Sequence, residues 1–552
     1  MKRTIILFIS IWVSYLQSQA QPLFSDSAVA DINQIKATLN VHGDYWHIHA
    51  AGGQFASACE FPANSGKHLA SGGGLWMGGI AGGNLLGAAT AYRTTGAEYW
   101  PGPYMSTGQS YLQAATWARI WKVNKTDIQS FLAQPTHTVS NTPTQILEWP
   151  AKGNPYAKGK SGALLTITTD MAPFVDVNND GFYNPLLGDY PLIKGDQMLW
   201  HVFNDNGLLP HGEFTQSGSM GLEVHASCYG YSTGILANIL FYEFSIANKG
   251  QSLDSFVVGW FSDIELGNPL NDYAGFDSVR NMLFVYNGQQ NDGTGTLDYQ
   301  DSIPTVGIRF LEYNGMKCSE LRPLGSFMNL SNQFQTRMPT TTLEMYRTLN
   351  HTWSDGSPLR APFNDTVVMQ VYNDGYGGFG QPVRYLYDQR PWLNGTWNEC
   401  DMNNPPGDRR LITAATPQQF TSGSKIHFSF CLLATDRIKN NGCPTYNLTA
   451  LQKLSDSALQ RFCSITALPN DPNMSQSLSV FPNPCDEYLT IRTALAASVR
   501  ISVFDSKGCT VPMQVERQQE GWRVHTGSLA SGFYFGSLQS EKGVQHFRFY
   551  RQ

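Results

Sequence analysis

The sequence predicts an all-β, multidomain protein: a large β-sandwich-like body followed by a small Ig-like β-sandwich. Three observations lead there. Gly (52) and Pro (29) are spread through the 552 residues, aromatic residues reach 12% and charged residues only 14%, a composition suited to many strands joined by many turns. Apolar residues recur at alternate positions in segment after segment, the period of a half-buried strand. The length exceeds what one ordinary core accommodates, so two or more domains are expected.

Taken in order, the chain opens with Lys2 and Arg3, an apolar run from Ile5 to Leu16, and Ser18-Gln19-Ala20. These are the parts of a secretory signal peptide over residues 1–20, too short to span a membrane. No second run of spanning length follows, so no transmembrane segment is expected in the mature chain. The net charge of -6 is small for the size, and without a basic stripe nucleic acid is not an expected partner. Nine cysteines are too few for a disulfide-built scaffold, but export would place them where bridges form.

The body is expected to run from residue 21 to 470, with room for two subdomains. Asp31 to Leu39 reads as a short helix. The strings GDYWHIHAAGG, GGGLWMGGI and GAEYWPGPY follow; their glycines suggest bulges or close backbone packing. Tyr45, Trp46, Trp76, Tyr99 and Trp100 could form a sugar-stacking platform or belong to the core. His47 and His49 would share a strand face, without a third metal ligand at a telling spacing.

The strongest chemical motif is PFVDVNNDGFYNPLLGDYP. Asp176, Asn178 and Asp180 alternate and Gly181 follows at once, a spacing that wraps oxygen ligands around calcium, with the carbonyl of Phe182 adding another. The twelfth loop position is Leu187 where an EF-hand has Glu, so Asp189 is expected to close the shell. The competing reading is a solvated Asx-rich turn. If calcium binds, its expected role is structural, ordering a long loop by stabilising only the folded state. A second acidic set, Asp263, Glu265, Asp272 and Asp277, could supply further calcium ligands or a carboxylate pair for glycoside hydrolysis, against the plainer reading of a solvated loop.

Gly230-Tyr231-Ser232-Thr233-Gly234 fits G-x-S-x-G, but strands are expected on both sides. It therefore reads as a hairpin turn and not as the strand-to-helix elbow that makes such a serine a nucleophile. Strands are expected at SFVVGWF, NMLFVYN, TVGIRFL, TVVMQVYN and KIHFSFCLLAT. Leu448, Leu451, Leu454, Ala458 and Phe462 then fall on one face at helical spacing. Cys443 and Cys463 bracket that helix and are the expected bridge, although connectivity does not follow from sequence. Residues 471–477 form a short polar linker, where a sortase would cut.

Residues 478–552 read again as short strands. Leu489 and Ile491 alternate with polar neighbours, as do Val499, Ile501 and Val503. Turns are expected at Pro482-Asn483-Pro484, at Ser506-Lys507-Gly508 and at Ala530-Ser531-Gly532. With Val480-Phe481 ahead of the first turn, Asp505 to Gly508, Leu529 to Tyr534, and the basic residues Arg548 and Arg551, this stretch resembles the type A C-terminal sorting domain of cargo exported by the type IX secretion system. The departures are Cys485 and Cys509, where small or polar residues are usual, and Arg for Lys near the end. The resemblance implies that Pro482, Asn483, Pro484, Gly508, Leu529, Gly532 and Tyr534 belong to the sorting signal. It implies passage through the outer membrane, engagement of the secretion machinery, removal of the tail by a sortase, and release or attachment to surface lipopolysaccharide. The strings GLWMGGI, EYWPGP and GDRRLITAATPQQF of the body resemble large secreted proteins with the same tail and no assigned activity. The sequence therefore supports a secreted or cell-surface protein with a calcium-stabilised, non-catalytic binding or surface body that contacts glycans or other surfaces. The alternative is an extracellular polysaccharide hydrolase.

Overall fold

The strand Ile239–Asn248 shows how the body is assembled. Side chains alternate across a strand, so Leu240, Tyr242, Phe244 and Ile246 enter one apolar core, and Ile239 and Phe241 enter another. One sheet thus serves two cores. The computed structural model describes residues 26–48, 57–90, 98–207, 211, 215–331, 335–361, 363–364, 367–368, 376–377, 380–388, 397–400, 402–439, 447–466, 479–481, 485–492, 500–505, 510–518, 521–540 and 543–551. They divide into two units, Met1–Ile465 and Thr466–Gln552.

The body contains two ten-stranded sheets, and every strand ladder described in it is antiparallel. The first runs through Ser27–Ala30, Lys36–Asn40, Asp44–Tyr45, Ala70–Ala81, Leu253–Ile264, Arg410–Ala414 and Ser326–Leu330. The second runs through Asp272–Asp277, Met282–Asn287, Val306–Tyr313, Lys425–Ala434, Ile239–Asn248, Leu222–Gly230, Gln197–Asn204 and Trp100–Pro101. The larger core lies between the sheets, as in a β-sandwich. The second core covers the outer face of the second sheet with the helices Lys125–Leu132, Thr144–Leu147 and Leu448–Thr466.

Glycines in GGGLWMGGI do the work expected of them. A Cβ on Gly73 would sit 2.7 Å from the Trp260 ring and 2.8 Å from that of Trp46, so only glycine lets both tryptophans meet that strand. The helix expected at Asp31–Leu39 is instead a turn followed by the strand Lys36–Asn40. Asn33 Oδ1 accepts from Ile35 N at 2.9 Å, an Asx turn that draws the chain out of helical geometry. Asp31 is used elsewhere, accepting from Lys122 Nζ at 2.6 Å.

The helix Leu448–Thr466 forms as its periodicity predicts, with Leu451, Leu454, Ala458 and Phe462 all buried against the sheet. The expected Cys443–Cys463 bridge does not form: Cys463 pairs with Cys318. Cys318 ends the hairpin after Val306–Tyr313 and lies against the same core as the helix. Cys443 itself lies outside the described residues.

The C-terminal unit is a small sandwich of two four-stranded sheets. One contains Ser479–Phe481, Tyr488–Arg492, Gly521–His525 and Val515–Gln518. The other contains Thr510–Val511, Arg500–Phe504, Gly532–Ser540 and Gly543–Arg551. Leu489, Ile491, Val503, Val524, Leu538 and Phe549 fill its core. Cys485 is buried there as a free thiol, small enough to substitute for the residue types expected at that position.

Candidate functional site

Three places carry chemistry in the body. The first is the Asp176 loop. The Asp176 carboxylate accepts from Gly181 N at 2.8 Å and from Asp180 N at 3.3 Å. Asp180 accepts from Phe182 N at 2.8 Å and from Asn178 Nδ2 at 2.8 Å. Asn179 and Gly181 take left-handed backbone conformations, with φ of 58° and 80°. Asp189 is fully buried beneath the loop, receiving Val177 N and Asn184 N at 2.8 Å each. Burial pushes the Asp189 carboxyl up from its ordinary range; those two N–H donors oppose this, and the charges of Asp176 and Asp180 add to it. Phe182 is half exposed, its ring against Gly153 and under Lys152 Nζ at 5.5 Å.

The second is the acidic set, which the structure divides. Asp263 and Glu265 are buried and meet Asp408, a residue the sequence reading missed; one ligand oxygen from each lies within 4.8 Å of the others. The cause is the ladder between Leu253–Ile264 and Arg410–Ala414, which sets Asp263 opposite Arg410. Glu265 accepts from Ser71 Oγ and lies 3.4 Å from His68 Nε2, and Asp408 pairs with Arg410. Asp272 is also buried, accepting from Leu266 N at 3.1 Å. Burial raises its carboxyl well above the usual range, with Asp292 and Glu265 adding to the effect. Asp277 is committed elsewhere, receiving Arg280 Nη1 at 3.2 Å and Gln452 Nε2 at 3.1 Å. The solvated-loop reading of these four residues is therefore incorrect, because all are buried.

The third is a groove of about 700 Å³. The helix Tyr111–Trp117 and the turn 103–105 form one wall, and residues 166–171 the other. Backbone bonds from Gly153 N to Ile167 O and from Leu165 N to Ala157 O hold the second wall. Ser110 and Gln113 cap the helix reciprocally. Gly102 (φ 109°) carries the turn, and a Cβ there would sit 2.9 Å from Trp117, so Trp117 packs directly on the backbone. Glu223 lines the groove almost fully buried, accepting from Tyr104 N at 2.9 Å and paired with His225 Nε2 at 3.0 Å and Lys249 Nζ at 3.9 Å. Burial opposes its ionisation, but these partners outweigh it and hold its carboxyl below the usual range.

Of the two readings for Tyr45, Trp46, Trp76, Tyr99 and Trp100, core is the one observed: all five are buried. Trp117 and Tyr104, partly exposed, line the groove instead. The Ser110-x-x-Gln113 capping pattern was the available signal for that wall. Ser232 lies in the connection between Leu222–Gly230 and Ile239–Asn248, where its hydroxyl donates to Asp196 at 2.8 Å, consistent with a turn. His49 lies outside the described residues.

In the C-terminal unit, Leu529 N closes a turn onto Thr526 O, the Tyr534 hydroxyl donates to Ala530 O at 3.1 Å, and Gly532 opens the strand that follows. Arg551 binds Asp486 at 2.8 Å and Thr526 O at 3.1 Å. Pro482, Asn483, Pro484 and Gly508 lie outside the described residues, as do residues 1–25 and the 471–477 linker. Residues 479–549 match the secretion system C-terminal sorting domain, and this type IX sorting domain indicates export through the outer membrane to the cell surface or the extracellular space. No curated protein matches the chain. Among solved structures, a polysaccharide lyase aligns with 60% of this chain and 34% of its own length, at 9% identity and a TM-score of 0.18. The chain thus spans about a third of that structure. Among the described residues no helix is long and apolar enough to cross a membrane.

Proposed function

We propose that the exported body is a non-catalytic binding or surface protein stabilised by calcium at the Asp176 loop. The observation that carries this is the groove: its one carboxylate among the described lining residues, Glu223, is engaged by His225 Nε2 and stands 3.9 Å from Lys249 Nζ. A glycoside hydrolase would need two carboxylates facing a cleft about 5–9.5 Å apart. Asp263, Glu265, Asp272 and Asp277 are buried outside the groove lining.

Calcium is supported by the tight turn that carries Asp176, Asn178 and Asp180 at alternate positions, with Asn179 and Gly181 in left-handed conformations. Asp176, Asn178, Asp180, the Phe182 carbonyl and Asp189 would hold it. The experiment is thermal unfolding of the purified full chain with calcium and with chelator. A calcium-dependent rise in Tm, lost in Asp176→Ala and Asp180→Ala, supports the loop. A rise that survives both substitutions moves the ion to another set such as Asp263, Glu265 and Asp408, and no rise removes calcium from the proposal. Binding is read from retention on immobilised polysaccharides, and catalysis from release of new reducing ends. Release of reducing ends would overturn the non-catalytic reading in favour of the hydrolase.

A further inference from the structure

We infer that the groove between the helix Tyr111–Trp117 and residues 166–171 binds an uncharged polysaccharide strand, with Trp117 as its stacking platform; this deepens the binding reading above and rests on it. The chemistry of the walls selects this ligand. Tyr104, Met105, Trp117, Ile167 and Met171 present apolar surface. Interspersed are the hydroxyls of Thr166, Thr168 and Thr169, all on exposed residues, and the Gln113 amide, whose Oε1 is already used by Ser110. A pyranose ring has the matching duality, with C–H faces that pack on aromatic rings and hydroxyls that exchange hydrogen bonds.

Charge excludes the acidic alternative. Lys249 is the one cation among the described lining residues, and it stands 3.9 Å from the Glu223 carboxylate, so the groove carries no net positive charge to hold a polyanion. The geometry is also built in advance. Glu223 is fixed by Tyr104 N and His225, His225 stands edge-on to Trp200 with ring centroids 5.7 Å apart, and Trp117 rests on Gly102 and edge-on to Trp121. A site that does not rearrange loses less entropy on binding. The volume of about 700 Å³ accommodates a few sugar rings.

The test is affinity electrophoresis of the purified full chain through gels containing uncharged or acidic polysaccharides, for wild type, Trp117→Ala and Thr168→Tyr. Thr168 is exposed, so its substitution fills the groove without touching the core, and it carries the test if Trp117→Ala fails to fold. The expected result is retardation by an uncharged polysaccharide, weakened about tenfold or more by either substitution (a change of about 1.4 kcal/mol) and insensitive to salt up to about 0.5 M. Retardation by acidic polysaccharides alone, lost in salt, overturns the uncharged ligand while leaving the binding reading intact. Retardation by an uncharged polysaccharide that neither substitution alters overturns the groove as its site. Retardation by none of the polysaccharides overturns both this inference and the binding reading on which it rests.

Discussion

Asp292 is a buried carboxyl of the body. Burial pushes its carboxyl up to about 6, although Tyr299 N donates to it at 2.6 Å and Asn268 N at 3.2 Å. A carboxyl whose pKa is higher folded than unfolded binds its proton more tightly in the folded state. Its contribution is greatest below the unfolded value near 3.8 and declines as pH rises to about 6. Denaturant unfolding between those limits should therefore show the advantage of wild type over Asp292→Asn shrinking with rising pH, by about 2 kcal/mol across the window; a constant difference would contradict this. Gly102 gives a second residue-scale test. Gly102→Ala combines a left-handed φ with a Cβ 2.9 Å from Trp117, and should cost about 1–3 kcal/mol of stability. Other features at this scale were not legible beforehand. Asp408 stands 143 positions beyond Glu265 in the sequence, and only strand register brings them together. Likewise nothing in GDYWH distinguishes a buried Trp46 from an exposed one, because aromatic residues serve both roles.

Among the elements, those with sustained periodicity were legible. Lys425–Ala434 and Leu448–Thr466 lie where strand and helix are expected, and Ile239–Asn248 forms the later part of the strand expected from Ile235, the earlier part being a 3-10 turn over Gly234–Asn238. Short helices were missed because tertiary packing and caps determine them: Tyr111–Trp117 is seven residues with a Ser110/Gln113 box, and Thr342–Leu349 starts at a Thr341 cap on Glu344 N. The helix Leu448–Thr466 is held by its apolar face and by Asp456, which pairs with Arg280 and Arg309. Phe462→Ala should cost about 3–5 kcal/mol in denaturant unfolding, the usual effect of emptying a fully buried aromatic site. The Cys318–Cys463 bridge adds to this. Replacing both cysteines by alanine should lower stability by about 2–5 kcal/mol, and peptide mapping without reductant should recover the two residues in one linked species. Recovery of Cys463 linked to Cys443 would contradict the pairing.

At the scale of the whole molecule, destination and activity are written in different kinds of signal. The sorting domain is local: its turns and strands fall within one short stretch, and export could be inferred from it directly. Deleting residues 479–549 should leave the protein in the periplasm, as fractionation with an antibody to the body would show; arrival of the truncated chain at the surface would contradict the assignment. The groove, by contrast, draws on residues 103–117, 166–171, 223 and 249. No single stretch announces it, and its chemistry exists only once the sheets have formed.

The link between Cys318 and Cys463 closes a ring of chain that includes Arg410–Ala414 and Lys425–Ala434, one strand from each large sheet. A secreted protein meets proteases, and a single cut anywhere within that ring would not release a fragment. The two pieces would travel as one band on a non-reducing gel and separate only after reduction. The ring therefore gives the extracellular protein tolerance to nicking as well as stability.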